Sequence, residues 1–313
     1  MKYNEAKYTT VTSAYANEFR SALKGIPGAH NVLSGGEFDS GSYFLPESMD
    51  IKFRSTLKAN SILRSLATVF TSYDNGLDIT TYTYDDYAQF IPEGGEIPLT
   101  RPDSDFGRLS VDSHKLAVFY KLPIEFVRDS GFSTDDYIAK RMAKNVSNAE
   151  NRAFLLGDGE IEPTGLLNDD GGAQVGVTAD ALSYDGIVDL FFSVKPEYRK
   201  KAVWIMNDKT ALALRKLKDE SGFPLWNGNS DTIMGKPVFI CNEMPDADDG
   251  EKCILFGDFS YYWIVERNPV CLKVLQELFA IHGQIGYIGT EFIDGKLIRS
   301  EAVKVLQIQS QGA

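Results

Sequence analysis

The spacing of apolar residues changes period several times along the chain, and each change marks an element. From Val11 to Lys24, Tyr15, Phe19 and Leu23 recur at every fourth position, the spacing that lines one face of a helix. Gly25, Pro27 and Gly28 then stop it, and Ser34 to Ser42 is loop-like. Residues 1 to about 40 therefore read as an arm. Its apolar stripe packs either on a neighbouring subunit or back on its own domain. After Tyr43-Phe44-Leu45-Pro46, a second helix is predicted from about Ser48 to Ala67. Ser48 is its candidate N-cap, and Ile51, Leu57, Ile62 and Leu66 are its apolar positions.

The pattern then turns to strands. Leu77 to Tyr84 is β-rich with some alternation, a polar turn region and Phe90 to Pro98 follow, and Lys115 to Tyr120 is strand-like again. These two long strands predict an extended hairpin. Its tip region, residues 74 to 105, holds eight acidic residues against one basic residue, Arg101. Such an arm buries little surface by itself and calls for a partner; the alternative is a solvated hairpin. The acid implies a basic patch on the receiving surface, or else screening by metal or low pH.

The clearest helix spans residues 133 to 156, with Ser133 as N-cap and Asp135 and Asp136 at the positive N-terminal end. Ile138, Met142, Asn145, Val146, Ala149 and Ala153 trace one face, and Gly157-Asp158-Gly159 ends it. Beyond Thr164, helices and short strands alternate. Tyr184 to Val194 is helical, Ala202 to Met206 is a buried strand, and Asp208 caps a helix running through Leu217. Pro237 to Ile240 and Lys252 to Gly257 are two more strands, giving a compact α/β lobe. The tail reads as strands at Trp263–Val265, Cys271–Leu275, Ile285–Phe292 and Ala302–Leu306.

Composition adds exclusions. No apolar run approaches the roughly 20 residues of a membrane-spanning helix. The polar start, Met1-Lys2-Tyr3-Asn4-Glu5, carries no signal-peptide core, so a cytoplasmic location is expected. Net charge is −12 and there is no long Lys/Arg block. That argues against a dedicated DNA-binding protein but leaves room for a container whose wall tolerates DNA. Cys241, Cys253 and Cys271 lack metal or disulfide spacing and read as small buried hydrophobes; His30, His114 and His282 read as structural. Gly157-Asp158-Gly159 follows a helix instead of opening one, so it is no phosphate loop. Glu93-Gly94-Gly95-Glu96 reads as a solvated turn more readily than a calcium site. No catalytic, cofactor-binding or metal residue is nominated.

The order of several phrases resembles the major capsid proteins of tailed bacteriophages of the Hong Kong 97 type. Gly41-Ser42-Tyr43-Phe44-Leu45-Pro46 precedes a helix ending in Leu63-Arg64-Ser65-Leu66-Ala67-Thr68-Val69. Phe90-Ile91-Pro92-Glu93-Gly94-Gly95-Glu96-Ile97-Pro98 leads to Phe106-Gly107 and His114-Lys115-Leu116-Ala117. Ile124 to Ser130 opens onto the long helix, whose end, Glu150 to Gly159, runs into Pro163-Thr164-Gly165-Leu166-Leu167. Trp204-Ile205-Met206-Asn207, Gly235-Lys236-Pro237-Val238 and Phe256-Gly257-Asp258-Phe259 follow. The likeness covers residues 38 to 306 and rests on order and spacing rather than on any one phrase.

The resemblance implies an α+β fold with an N-arm at 1–42, a peripheral domain at 43–69 and 106–164 with its spine helix at 134–156, and an extended loop at 70–105. It further implies an α/β axial domain at 165–260, peripheral strands at 261–297 and an axial return at 298–313. The implied function is a non-enzymatic subunit, without cofactor, that self-assembles into pentamers and hexamers of an icosahedral shell around double-stranded DNA. Portal, scaffolding and decoration proteins are implied partners, and the location is the virion, assembled in the bacterial cytoplasm. Tyr15, Phe19, Asp85, Asp86, Phe90, Glu93, Glu96 and Arg101 are the expected subunit-interface residues. An encapsulin-type compartment shares the fold and is the nearest alternative; an α/β enzyme using the 165–260 lobe is a weaker one.

Two departures from the family pattern matter. About 40 residues precede the fold, so a scaffold is a separate protein, absent, or already removed, and the initiator-like Met1 argues against removal. Some members join subunits through an isopeptide bond between an extended-loop lysine and a peripheral-domain asparagine. Here no lysine lies between Lys58 and Lys115, and Phe279-Ala280-Ile281-His282-Gly283-Gln284 contains no asparagine. Purified particles are therefore expected to give one subunit band on a denaturing gel; a high-mass ladder would contradict this.

Overall fold

The structure is a computed structural model, which describes residues 12–26, 42–72, 77–82, 90–92, 96, 106–129, 131, 133–218, 226 and 231–309. The first half of the chain comprises α1 (Ser13–Leu23), β1 (Ser42–Phe44), α2 (Glu47–Asn60), α3 (Ile62–Leu66), β2 (Thr68–Ser72), β3 (Leu77–Tyr82), β4 (Phe106–Val111), β5 (His114–Pro123), α4 (Ile124–Arg128) and α5 (Thr134–Leu156). There follow β6 (Gln174–Ala179), α6 (Tyr184–Ser193), α7 (Pro196–Arg199), β7 (Val203–Met206), α8 (Asp208–Lys216), β8 (Thr232–Ile233), β9 (Lys236–Ile240), β10 (Lys252–Gly257), β11 (Tyr262–Leu275), β12 (Gln284–Leu297) and β13 (Val303–Ile308).

Two sheets organise these elements. In the first, β11 and β12 form a long antiparallel hairpin, β5 lies antiparallel on the outer edge of β12, and β1 and β2 share the outer edge of β11. The β2 ladder is parallel, Trp263 facing Thr68 through Arg267 facing Ser72. One face of this sheet takes α5. Side chains alternate across a strand, so Tyr287, Gly289, Glu291 and Ile293 of β12 share the α5 side. A Cβ on Gly289 would stand 2.6 Å from the Met142 sulfur, so the helix approaches closely there. The second sheet has the order β6-β13-β10-β7-β9-β8. Its central β7 is buried throughout, as a run of apolar residues requires when both faces are covered. Trp204 stacks on Phe256 at 4.0 Å and donates its indole N–H to the Ile233 carbonyl at 3.0 Å.

The sheets are not independent. One hydrophobic cluster draws Leu63, Phe154, Tyr262 and Ile293 from the first sheet's side together with Ile205, Leu255, Val303 and Val305 of the second. At the junction, α5 ends against the 163–165 loop. A Cβ at Gly157 would lie 2.0 Å from the Pro163 carbonyl oxygen, so no side chain fits there. The Asp158 carboxylate accepts the backbone N–H groups of Glu160, Ile161 and Glu162 at 2.9, 3.1 and 3.1 Å and closes that turn.

Several expectations need correction. The predicted helix from Ser48 to Ala67 is two helices broken at Ser61, whose side chain accepts from the Arg64 N–H and caps the second. Ser48 lies inside the first turn of α2, which starts after Pro46. Its buried face is Met49, Phe53 and Leu57, and Ile51 is 61% exposed; the four-residue rhythm starts two positions earlier than read. Asn207 caps α8, accepting from Thr210 N–H at 2.6 Å, and Asp208 is its first residue. Ser133 precedes α5 but makes no side-chain cap and donates instead to Asp135 at 2.8 Å. Of the predicted 77–84 strand, residues 77–82 pair with β4 rather than with 115–120, which belongs to the first sheet beside β12. Trp263–Val265 and Cys271–Leu275 are parts of one strand with a register shift between Arg267 and Cys271.

Phe154 is fully buried at the junction and meets the Tyr262 ring at 5.7 Å. Phe154→Ala is expected to destabilise the subunit by about 3–5 kcal/mol in chemical denaturation, because a large cavity replaces an aromatic ring that bridges both sheets. A loss below about 1 kcal/mol would show that the junction does not bear on stability.

Candidate functional site: the root of the extended hairpin

The chain leaves the first sheet at the end of β2 and returns to it at β5, and between these points, among the described residues, β3 and β4 pair only with each other. The return is pinned by Asp294 of β12. One of its carboxylate oxygens accepts the Asp112 backbone N–H at 2.9 Å, the other accepts its neighbour Gly295 N–H at 2.7 Å, and His114 Nε2 stands 3.5 Å away. Burial raises the Asp294 carboxyl above its ordinary pKa, against these hydrogen bonds. Lys296 adds a bond from its ammonium to the Ser110 carbonyl at 2.6 Å.

The departure is fixed on the other face of the sheet by a buried charged cluster. Arg64, on α3, is 8% exposed. Its Nε and Nη2 donate to the two oxygens of Glu150 on α5 at 2.9 and 2.7 Å, a bidentate pair. Its Nη1 donates to Glu266 on β11 at 2.6 Å. Glu266 also receives Arg54 of α2 and the Thr71 hydroxyl of β2, the latter at 3.3 Å. Arg54 in turn donates to Asp50 at 2.8 Å. Glu291 of β12 completes the cluster less well: one oxygen is 3.5 Å from Arg64 Nη2, and the other is buried with no partner among the described residues. Beside the cluster, the Ser61 hydroxyl donates to Asn151 at 2.9 Å.

Each group's proton affinity follows from its neighbours. Burial alone would lower Arg64, but Glu150, Glu291 and Glu266 hold its charge and raise it well above the usual range. Burial works against the Glu266 charge too, yet Arg64 and Arg54 overcome it and keep its pKa below normal. Glu150 is raised by burial despite its Arg64 bonds. Glu291, fully buried beside the Glu150 charge, is pushed up to about 8. The chemistry is that of a structural clamp, and among the described residues no group of His, Cys, Asp or Glu could hold a metal ion.

The predicted interface residues divide. Tyr15 and Phe19 are buried in the chain's own core with Tyr43, Phe53 and Tyr287, and the Tyr15 hydroxyl donates to the Phe44 carbonyl at 2.8 Å. The stripe of α1 thus folds back on its own domain, the second of the two readings above. Phe90 is fully exposed and Glu96 is exposed. Asp85, Asp86, Glu93 and Arg101 lie outside the described residues. The sheet face opposite α5 exposes Lys115, Ala117, Phe119 and Lys121 along β5. Phe119, Ile288 and Lys273 form one cross-strand row on it, and the Lys121 ammonium lies 5.2 Å from the Phe279 ring centroid.

The sequence reading missed Arg64, Glu150, Glu266 and Glu291 as a group. A signal was present: Glu150 sits four residues after Val146 and four before Phe154, on the buried stripe of α5. A charge on an apolar stripe is either an error of phase or a partnered ion. The phase of α5 does run through Glu150, Asn151 and Phe154, and Asn145 is exposed.

Removing one member of a buried ion cluster leaves the others uncompensated. Arg64→Met is expected to destabilise the subunit by about 3–5 kcal/mol in chemical denaturation at neutral pH. Near-normal stability of that variant would show that the carboxylates do not depend on Arg64.

Comparison with known proteins identifies the fold. The phage capsid family model matches residues 41–308. A comparison with curated protein sequences gives no match. Among solved structures, the capsid of a native GTA particle is 30% identical, with a TM-score of 0.68, and covers 82% of this chain and 91% of that one. A structure from Microbacterium phage Oxtober96 is 16% identical with a TM-score of 0.59, over 80% of this chain and 91% of that one. A virus-like particle from Pyrococcus furiosus is 14% identical with a TM-score of 0.53, over 82% of this chain and 98% of that one. The last two show the fold alone. With arm helix, long α5, two sheets and a hairpin rooted between β2 and β5, the chain belongs to the phage capsid family and is a capsid shell protein of the Hong Kong 97 type fold.

Proposed function

We propose that the protein is the major capsid subunit of a particle enclosing double-stranded DNA, assembling through heterologous contacts into five- and six-membered rings that close into an icosahedral shell. The observation that carries this reading is the separate β3–β4 ladder, rooted on the first sheet through Ser110 and Val111. Among the described residues, β3 and β4 join neither larger sheet. Two strands alone in water are marginally stable and gain a great deal from an added surface. The tip region between them is acidic, with eight acidic residues against Arg101, and the open face of the first sheet carries exposed Lys115 and Lys121 around Phe119. Opposite charges steer two such surfaces together and fix their register.

In this reading the tip of one subunit, with Asp85, Asp86, Phe90, Glu93, Glu96 and Arg101, lies on the open sheet face of a neighbour. Residues 1–42 are the N-arm, 70–105 the extended loop, and 43–69, 106–164 and 261–297 the peripheral domain around α5. Residues 165–260 and 298–313 form the axial domain that gathers at the centre of each ring. Each interface hides roughly 1,000–2,000 Å². Heterologous contacts of this kind must close, or filaments result. The protein catalyses nothing, meets portal, scaffolding and decoration proteins, touches packaged DNA without sequence preference, and assembles in the cytoplasm of a bacterial host.

Charge reversal tests the contact. Asp85→Lys with Asp86→Lys is expected to weaken each tip-to-face contact about tenfold, equivalent to roughly 1.4 kcal/mol, and so to lower particle yield, without changing the melting temperature of the subunit. Adding Lys115→Glu and Lys121→Glu in the same chain restores yield. Normal yield from the first variant, or no recovery with the second pair, contradicts the reading.

A further inference from the structure

The clamp at the hairpin root contains more carboxylate than it can hold as charge. Around one buried guanidinium, Arg64 of α3, stand Glu150 of α5, Glu266 of β11 and Glu291 of β12. Among the described residues the other cation facing them is Arg54 of α2, which is partly exposed and divided between Glu266 and Asp50. The remaining neighbours, Thr71 of β2, Ser61 and Asn151, are neutral, and Leu116 of β5 lies opposite Glu291. His114 lies across from Ile293 in the ladder, two residues from Leu116, and its Nε2 stands 3.5 Å from Asp294, whose position alternates to the opposite face of β12 from Glu291. Fully ionised, three glutamates and Asp50 would oppose two arginines.

The geometry shows which carboxylate is surplus. Glu150 holds two Arg64 N–H groups, and Glu266 is held by both arginines and Thr71. Glu291 has one oxygen 3.5 Å from an Arg64 nitrogen already donating to Glu150, and its other oxygen is buried without a partner among the described residues. An ionised carboxylate placed so is among the most costly groups a protein interior can contain, whereas the neutral acid is tolerated. Glu291 is also placed where it matters. It lies across from Leu116 on β5, and Glu266 lies across from Thr71 on β2, so the cluster touches both strands that lead to the hairpin.

We propose that Glu291 carries a proton in the folded subunit and that this cluster is a proton-operated latch on the hairpin root: protonated, it holds β2 and β5 to β11 and β12, and loss of the proton loosens both strands. The latch belongs to the single subunit and stands or falls apart from the shell assignment. The direction of its pH dependence follows. A carboxyl whose folded pKa is raised contributes stability that is fully present below the unfolded value of about 4.3 and is lost as pH rises. With the folded value at about 8, that loss runs between the two and then stops.

The test compares the full-length subunit with Glu291→Gln, a neutral isostere of the protonated acid. Melting temperature is recorded from pH 5 to pH 9.5, and amide hydrogen exchange of residues 68–72 is measured at pH 9 for both proteins. The expected result is a melting gap in favour of the glutamine variant that widens to about pH 8 and is constant above it. At pH 9 the 68–72 amides of the unmodified protein exchange at least about tenfold faster than those of the variant, one pH unit past the midpoint corresponding to a tenfold change in the proton-bound fraction. Parallel melting profiles, or a variant uniformly less stable, would mean that Glu291 is an ordinary paired anion and would overturn the proposal. So would failure of the variant to fold. A widening gap with equal exchange at 68–72 would overturn the latch.

Discussion

A guanidinium without water must be surrounded by acceptors, and Arg64 imposes that requirement on four elements at once. Its partners come from α5, β11 and β12, and its own position depends on the Ser61 break that turns α2 into α3. Were the helix to continue past Ser61, Arg64 would point elsewhere and Glu150 would lose its bidentate partner. The break also aims the chain into β2, a short parallel strand on the edge of β11. One buried ion pair network therefore fixes the join of helix to sheet, the entry of β2 and the place from which the hairpin departs. Such networks add less net stability than well-packed apolar groups would; what this one supplies is a single permitted arrangement.

From that root the molecule divides into a well-packed body and a two-stranded ladder, which the proposed function gives a partner on a neighbouring subunit. The body is held by a hydrophobic cluster shared by both sheets, with Phe154 and Tyr262 on one side and Leu255 and Val305 on the other. The projection is a two-stranded ladder with a strongly acidic connection. A body that keeps its shape can repeat the same contact many times, and in the proposed function the two-stranded ladder gains from an added surface. That combination suits a shell, in which each interface is weak and the sum is large. The open face of the first sheet, with Lys115, Lys121 and Phe119, is a surface of the opposite character on the same chain.

Much of this was legible in the residues. The period of α5, the α/β alternation after Thr164 and the acidic tip all follow from local spacing, and the order of phrases pointed to the capsid fold. What failed did so where local and tertiary preferences compete. Ser48 and Asp208 are good capping residues by type, but the chain was already helical at Ser48, and Asn207, one residue earlier, had the geometry to accept from Thr210. Ile51 is apolar yet exposed, because Met49 and Phe53 took the core-facing positions. The hairpin partner was misassigned because β4 and β5 are separated by only two residues, and pairing partners are chosen by the whole sheet. The charged cluster was invisible because its members lie far apart in sequence, and only the apolar phase of α5 hinted that Glu150 faces inward.

The central claim is that this chain builds a closed shell. Negative-stain electron microscopy of the purified full-length protein, paired with sedimentation at low and high salt, tests it most directly. The account predicts closed icosahedral particles, or five- and six-membered rings that convert to them. A protein that sediments as a monomer at every salt and protein concentration, with no ring or particle on the grid, would contradict it.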